Sequence, residues 1–348
     1  MHTMDIKRAI DLIGRFGHLQ DDEAEEVMNQ IMRGEAEESQ IGAYLMGLRM
    51  KGETESEIVG SARAMRDNAV QIPINTPGDL LDTCGTGGDG SGTFNISTAT
   101  AFVAAGAGIR IAKHGNHAVT GQCGSADVLA EMGMPLDLTP EAVGRCVDEI
   151  GIGFFFAPRL HPAMGHVARA RRQIGVRTIF NILGPLTNPA GANRQLTGVF
   201  APDLTDFVAG ILGALGSKSA LVVCGYGNMD ELTTTGPNRV SHYQDGKVET
   251  YDLNPIDFDL ERAHISDLLG GDPPTNARIL RGVLSGESNG AKRDVVLLNG
   301  AGALVAGGMA ENVSEGLEMA RDVIDSGAAL EKLDALIELS RELVTGND

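Results

Sequence analysis

Leu80-Leu81-Asp82-Thr83-Cys84-Gly85-Thr86-Gly87-Gly88-Asp89-Gly90-Ser91-Gly92-Thr93-Phe94-Asn95-Ile96-Ser97-Thr98 runs from a short apolar strand through a glycine-rich turn into a helix. Glycines let a backbone approach an anion closely, and the free amides at a helix start point at it. From Cys84 to Thr98 five glycines stand with six hydroxyl or amide side chains, so the stretch reads as a phosphate-holding loop rather than a plain tight turn. No G-K-[ST] closes it, and it lacks the G-x-G-x-x-G dinucleotide spacing.

Outward from this loop the chain alternates. Strands are expected at Leu80 to Asp82, Ile109 to Lys113, Thr197 to Val199, Ala220 to Cys224 and Val295 to Leu297. Helices are expected at Ile96 to Ala107, Pro202 to Leu215, Ser314 to Ile324 and Glu331 to Leu343. Apolar strands separated by helices predict an α/β fold with a mostly parallel central sheet flanked by helices. Val240 to Thr250, with Asp245-Gly246 at its middle, reads as a hairpin. Before Pro73 and Pro77 the chain is purely helical. Val27, Met28, Ile31 and Met32 share one helix face; Ile41, Tyr44, Leu45 and Leu48 share another. Thr54-x-x-Glu57 is a capping box for a third. The expectation is a small all-helical N-terminal domain over residues 1–70, joined by helices from about 162–185, beside a large α/β domain over 71–348.

Composition excludes several classes. Lys and Arg total 28 against 47 Asp and Glu, a formal charge of −19, which argues against nonspecific nucleic-acid or anionic-membrane binding. The four cysteines are scattered, without a C-x-x-C pair, as suits a reducing compartment. The first residues carry no secretory pattern and no apolar run is long enough to span a membrane, so a cytoplasmic address is expected.

Three further segments carry chemistry. Lys113-His114-Gly115-Asn116 ends the second strand, where α/β sheets collect ligands, and Gly124-Ser125-Ala126-Asp127 opens the next helix. Asp230-Glu231 follows a strand and a loop; paired carboxylates suit a hard cation such as Mg²⁺, though solvated acidic pairs are common. His161-Pro162-Ala163-Met164, Arg171-Arg172 and Arg177 to Pro189 form the last segment, in which an Arg offers a fork for a carboxylate and Gly184-Pro185 a rigid turn. Surface arginines on a helix are the plainer reading.

Taken in order, GTGGDG with TFNIST, KHGN, GSAD, HPAM, RTIFNILGPLTNP and the DE pair resemble the anthranilate phosphoribosyltransferase family nearly end to end. The resemblance implies transfer of phosphoribosyl from phosphoribosyl pyrophosphate to the amine of anthranilate, with one or two Mg²⁺ ions. It implies a fold like that of the pyrimidine nucleoside phosphorylases and a homodimer formed through the helical part. It assigns the phosphoribosyl pyrophosphate to Gly85, Gly88, Asp89, Thr93, Asn95, Ile96, Ser97, Thr98, Lys113, Gly115, His117, Thr120, Gly121 and Ser125. It assigns the metal to Ser97, Asp230 and Glu231. Arg171 matches the family's anthranilate-binding Arg; His114, Asn116, Gly85 and Pro185 line the aromatic site. No residue is needed as a general acid or base, and Lys113, Asp230 and Glu231 support the transition state.

One departure stands out. The family pattern after Lys-His-Gly-Asn is Arg, two residues, then Ser-Ser. This chain has His117 and, three and four residues on, Thr120 and Gly121. A permanent charge becomes a titratable one, which predicts weaker or more pH-dependent phosphoribosyl pyrophosphate binding, unless a neighbouring Lys or Mg²⁺ supplies the charge. The rival functions are a nucleoside phosphorylase of the shared fold, a paralogue using another aromatic acceptor, and a non-catalytic nucleic-acid-binding relative. The last should lack the GTGGDG and DE residues and gain a basic groove.

Overall fold

The computed structural model describes residues 4–118 and 121–345 and divides the chain into two compact units. The first joins the residues up to Gln71 with Pro158–Gly191; the second joins Ile72–Ala157 with the chain from Ala192 onward.

The first unit is helical. Helices span Ile6–Gly14, Asp21–Met32, Glu38–Lys51, Glu55–Asp67 and Gly165–Ile174. Their apolar faces bury Val27, Met28, Ile31, Tyr44, Leu45, Leu48 and Ile58. The Thr54 box forms, and Glu57 does more than cap: its carboxylate accepts the Leu19 and Thr54 amides and pairs with Lys51 at 2.6 Å, with both side chains buried. The partners satisfy a charge whose burial alone would be costly. The chain closes this unit late, through the Val70 amide donating to the Leu160 carbonyl at 2.8 Å.

The second unit holds a seven-stranded sheet. Its strands are β1 (Leu81–Asp82), β2 (Ile111–Gly115), β3 (Ile152–Phe156), β4 (Arg194–Gly198), β5 (Ser219–Cys224), β6 (Asn238–Gln244) and β7 (Lys247–Leu253), in the order β3-β2-β1-β4-β5-β6-β7. β1 to β5 pair in parallel; β6 and β7 are the antiparallel hairpin turned by Asp245-Gly246. Helices cover both faces. A Cβ on Gly302, in the helix Ala291–Gly307, would meet Leu221 and Leu196, which are register partners. A Cβ on Gly213, in Leu204–Ala214, would strike Tyr243, the partner of Ala220 on the opposite side of the pleat.

Two readings are corrected. Val295 to Leu297 is not a strand but the buried middle of the helix Ala291–Gly307. Apolar residues surround that helix, so its short run has the look of a buried strand; only its length separates the two. The strand Ile152–Phe156 was not expected, although Gly151 at φ 88° ends the helix before it and marks the start.

Candidate active site

The strand order reverses at β1. The chain leaves β1 toward β2 on one side, while β4 lies on the other, and a crevice opens at the carboxyl ends of the strands where such loops diverge. The glycine loop occupies it. The Thr86 amide donates to the Gly198 carbonyl at the end of β4 at 2.9 Å, and the Gly87 amide donates to Asp230 Oδ2 at 2.6 Å. Gly87, Gly88, Gly90 and Gly92 all take positive φ, so a side chain at any of them would be strained. Gly198 is compelled by a different cause: a Cβ there would lie 1.5 Å from the Asp230 carbonyl oxygen. Gly85 is tighter than ordinary contact, with its Cβ direction 3.0 Å from Asp230 Oδ2.

The acidic residues meet at this loop. Asp89 accepts the Ser91 amide on one oxygen and the Asp230 amide on the other, at 3.0 and 3.3 Å. Burial, and then the charge of Asp89, push the Asp230 carboxyl up to about 7. Burial and Asp230 raise Glu231 well above the ordinary carboxylate value, while Lys113 and the Ser97 amide act against that rise. A cation bound beside crowded carboxylates would favour their ionised form. Two carboxylates beside the Ser97 hydroxyl are all-oxygen donors, which fit Mg²⁺.

Lys113 is buried in β2 at 4% exposure and points its ammonium at the same place. It donates to the Thr83 carbonyl at 3.1 Å and to Ser97 Oγ at 3.2 Å. Ser97 and Thr98 lie in the first turn of the helix Ile96–Gly106, with Asn95 at its cap and Ile96 buried beneath. Thr93 bridges to Leu269 across the loop's far end. The structure thus brings Gly85, Gly88, Asp89, Ser97, Lys113, Asp230 and Glu231 into one neighbourhood.

The loop after β2 is built differently. Gly115 has no room for a Cβ, because Ser125 Oγ and the Phe154 ring fill the space at 2.3 and 2.6 Å. Ser125 Oγ accepts the Asn116 amide and donates to its carbonyl. His117 Nδ1 lies 2.5 Å from Asp127 Oδ1, with its ring edge-on to Phe156. Burial works against ionisation of Asp127, but the amides of Ala118 and Gly124 together with His117 outweigh it and hold that carboxyl low. Thr120 lies outside the described residues, and Gly121 is exposed with open space around it. His114 is buried at 5% exposure.

Arg171 and Pro185 belong to the helical unit. The Arg171 guanidinium stacks 5.1 Å over Phe180, and burial lowers its pKa without threatening its charge. Pro185 is buried in the turn Gly184–Leu186.

Three positions had been given no role in the site from the sequence. Asp82, fully buried, accepts the amides of Cys84 and His114 on one oxygen, each at 3.1 Å, and so clips the two loops together at their roots. Asn276, at 2% exposure, accepts the Gly271 amide and donates to Asn95 Oδ1 at 2.9 Å, while Asn95 in turn donates to the Cys123 carbonyl. Asp127 is the third. An acid closing an apolar strand was a visible signal for Asp82; Asn276 offered none beyond its type.

Known proteins are similar to this chain in sequence and in fold. The glycosyl transferase family a/b domain matches residues 77–330, and the family's helical bundle domain matches residues 7–69. The chain is 52% identical over 332 residues to anthranilate phosphoribosyltransferase of Moorella thermoacetica, covering 95% of this chain and 97% of the relative. It is 54% identical over 321 residues to the enzyme of Symbiobacterium thermophilum, covering 92% and 94%. Among solved structures, anthranilate phosphoribosyltransferase from Thermus thermophilus superposes with a TM-score of 0.91 at 42% identity, over 96% of this chain and 99% of that one. The Saccharomyces cerevisiae enzyme in complex with PRPP and Mg superposes with a TM-score of 0.87 at 28% identity, over 98% and 100%.

Proposed function

We infer, for a chain that belongs to the anthranilate phosphoribosyltransferase family of glycosyl transferases, how its own residues divide the work of the reaction. The protein is a Mg²⁺-dependent pentosyltransferase: it moves the phosphoribosyl group of phosphoribosyl pyrophosphate to the amine of anthranilate and releases pyrophosphate, a step of tryptophan biosynthesis.

The observation that carries our assignment is the meeting of the glycine loop with Asp230, Glu231, Ser97 and Lys113. The amides of Gly85 to Asp89 and the hydroxyls of Thr93, Ser97 and Thr98 hold the phosphates. Lys113 adds a fixed positive charge from a buried position, where it is worth more than in water. Asp230 and Glu231, with Ser97, hold one or two Mg²⁺ ions. Bound there, the metal supplies charge neutralisation for the departing pyrophosphate. The family's assignment of Arg171 to the anthranilate carboxylate, and of His114, Asn116, Gly85 and Pro185 to its ring, carries over as part of the proposal. A neutral aromatic amine is already a nucleophile, so positioning replaces a general base.

We also propose a homodimer formed through the helical unit, supported by Phe16 and Met50, which leave 67% and 73% of their surfaces exposed there. Light scattering on the purified protein would give twice the chain mass. A cytoplasmic address fits its four free cysteines.

The direct test is the loss of anthranilate fluorescence with phosphoribosyl pyrophosphate and Mg²⁺. Turnover there is expected. No turnover, together with turnover of a nucleoside plus phosphate, would reverse the assignment.

A further inference from the structure

The three buried or part-buried groups at the roots of the two loops differ in kind from the Mg²⁺ set. Asp82 ends β1, Cys84 follows two residues later, and His114 lies in the neighbouring β2. One carboxylate oxygen, the Cys84 Sγ and one imidazole nitrogen all lie within 4.8 Å of one another. We infer that Asp82, Cys84 and His114 form a second metal site, one that takes a thiophilic divalent cation of the Zn²⁺ type.

Donor chemistry separates this site from the one above. An oxygen, a sulfur and a nitrogen are the ligand mix of Zn²⁺, whereas Mg²⁺ takes oxygens alone. Charge separates them too. A carboxylate and a thiolate balance a divalent cation in a buried place, and neutral imidazole adds a ligand without adding charge. Orientation is partly prepaid. The amides of Cys84 and His114 both donate to Asp82 Oδ1, which fixes the carboxylate between its two fellow ligands. Tetrahedral zinc spaces its ligand atoms roughly 3.3–3.8 Å apart, so closing the group needs about 1 Å of side-chain movement.

Two changes accompany binding. The Cys84 thiol, which now donates to the Gly85 carbonyl at 3.4 Å, loses its proton to solvent and turns its sulfur to the metal. His114 is drawn from the aromatic site to which we assigned it. Three protein ligands leave a position for water, as in open zinc sites. Zn²⁺ therefore acts on this enzyme as an inhibitor, and Mg²⁺ does not relieve it by competition.

The experiment is metal binding to the full-length protein in excess Mg²⁺, which occupies the carboxylate pair. One equivalent of Co²⁺ is expected to give thiolate-to-cobalt charge-transfer absorption. Zn²⁺ should displace it and should inhibit turnover reversibly on chelation. In Cys84→Val the absorption should vanish, Zn²⁺ should bind at least about tenfold more weakly, and Mg²⁺-dependent turnover should be kept but become resistant to Zn²⁺. Cys84→Ala is the second variant, so that a packing defect in one does not decide the matter. A cobalt complex without the thiolate band overturns the inference. So does a band that survives in the Cys84 variants, which would move the site to another thiol such as Cys224.

Discussion

The loops after β1 and β2 stand side by side, yet they differ in how much of their fastening is remote. The loop after β1 is tied to distant chain: to Gly198 through Thr86, to Asp230 through Gly87 and Asp89, and to Leu268 and Gly270 through Phe94 and Gly92. The loop after β2 is tied chiefly to its own continuation, Asn116 to Ser125 and His117 to Asp127, within ten residues, and reaches outward at Cys123, whose carbonyl accepts from Asn95. A loop fastened from three remote directions cannot change without disturbing all three. A loop fastened locally can be rebuilt by a few neighbouring substitutions, and it is there that this chain leaves the family pattern, at His117 and Gly121.

The largest effect should come from breaking the first loop's remote fastening. In Gly198→Ala the new methyl occupies the place of the Asp230 carbonyl and must push it away. With the fold retained by circular dichroism, kcat/KM should fall about 100-fold or more, since displacement of about 1 Å at the reacting centre carries that cost. An active Gly198→Ala enzyme would show that the contact between β4 and Asp230 does not position the site.

Asp230→Asn should separate activity from stability. The Asp230 carboxyl is harder to ionise folded than unfolded, so its contribution to stability is complete below its ordinary value of 3.8 and is lost as pH rises through about 7. The amide cannot ionise. At about pH 8 without Mg²⁺ the variant should therefore melt about 2–4 °C higher than the parent, while its activity with Mg²⁺ drops by about 100-fold. Added Mg²⁺ should raise the parent's melting temperature more at about pH 8 than at about pH 6, because the cation binds the ionised pair. Melting temperatures that coincide at both pH values would contradict this account of the acidic cluster.

His117→Arg should give the smallest change, because it acts on the locally held loop. Apparent affinity for phosphoribosyl pyrophosphate should improve about threefold to tenfold near pH 8 and lose its dependence between about pH 6 and about pH 8.5. Asp127 already faces position 117 and takes part of any charge placed there, which limits the gain. Affinity unchanged at every pH would remove His117 from the phosphate site.

The same contrast explains what could be read from the chain. The glycine loop was legible because its chemistry is contiguous: strand, glycines, hydroxyls and helix start follow one another. The helical N-terminal region was legible through period and capping, as at Thr54 and Glu57. Asn276 was not, since its partner Asn95 lies 181 residues away and no local pattern announces a bond of that span. Val295 to Leu297 misled because a helix buried on all sides has no polar face to reveal its period. Ile152 to Phe156 was overlooked for want of alternation, as befits a strand of a parallel sheet.

The helical unit also has a history in time. It is made of residues up to Gln71 and of Pro158–Gly191, and the bond between Val70 and Leu160 joins its two parts. A ribosome therefore delivers the first part well before the second. Between them come residues 72–157, with the glycine loop and three of the sheet's strands, β1 to β3. At ~5–20 residues per second the early helices wait several seconds for their missing partners. Until then the surfaces that Leu160, Val167 and Ala170 help to bury stay open. The buried pair of Lys51 and Glu57 lies wholly within the first part, so it needs no residue of the second to be complete.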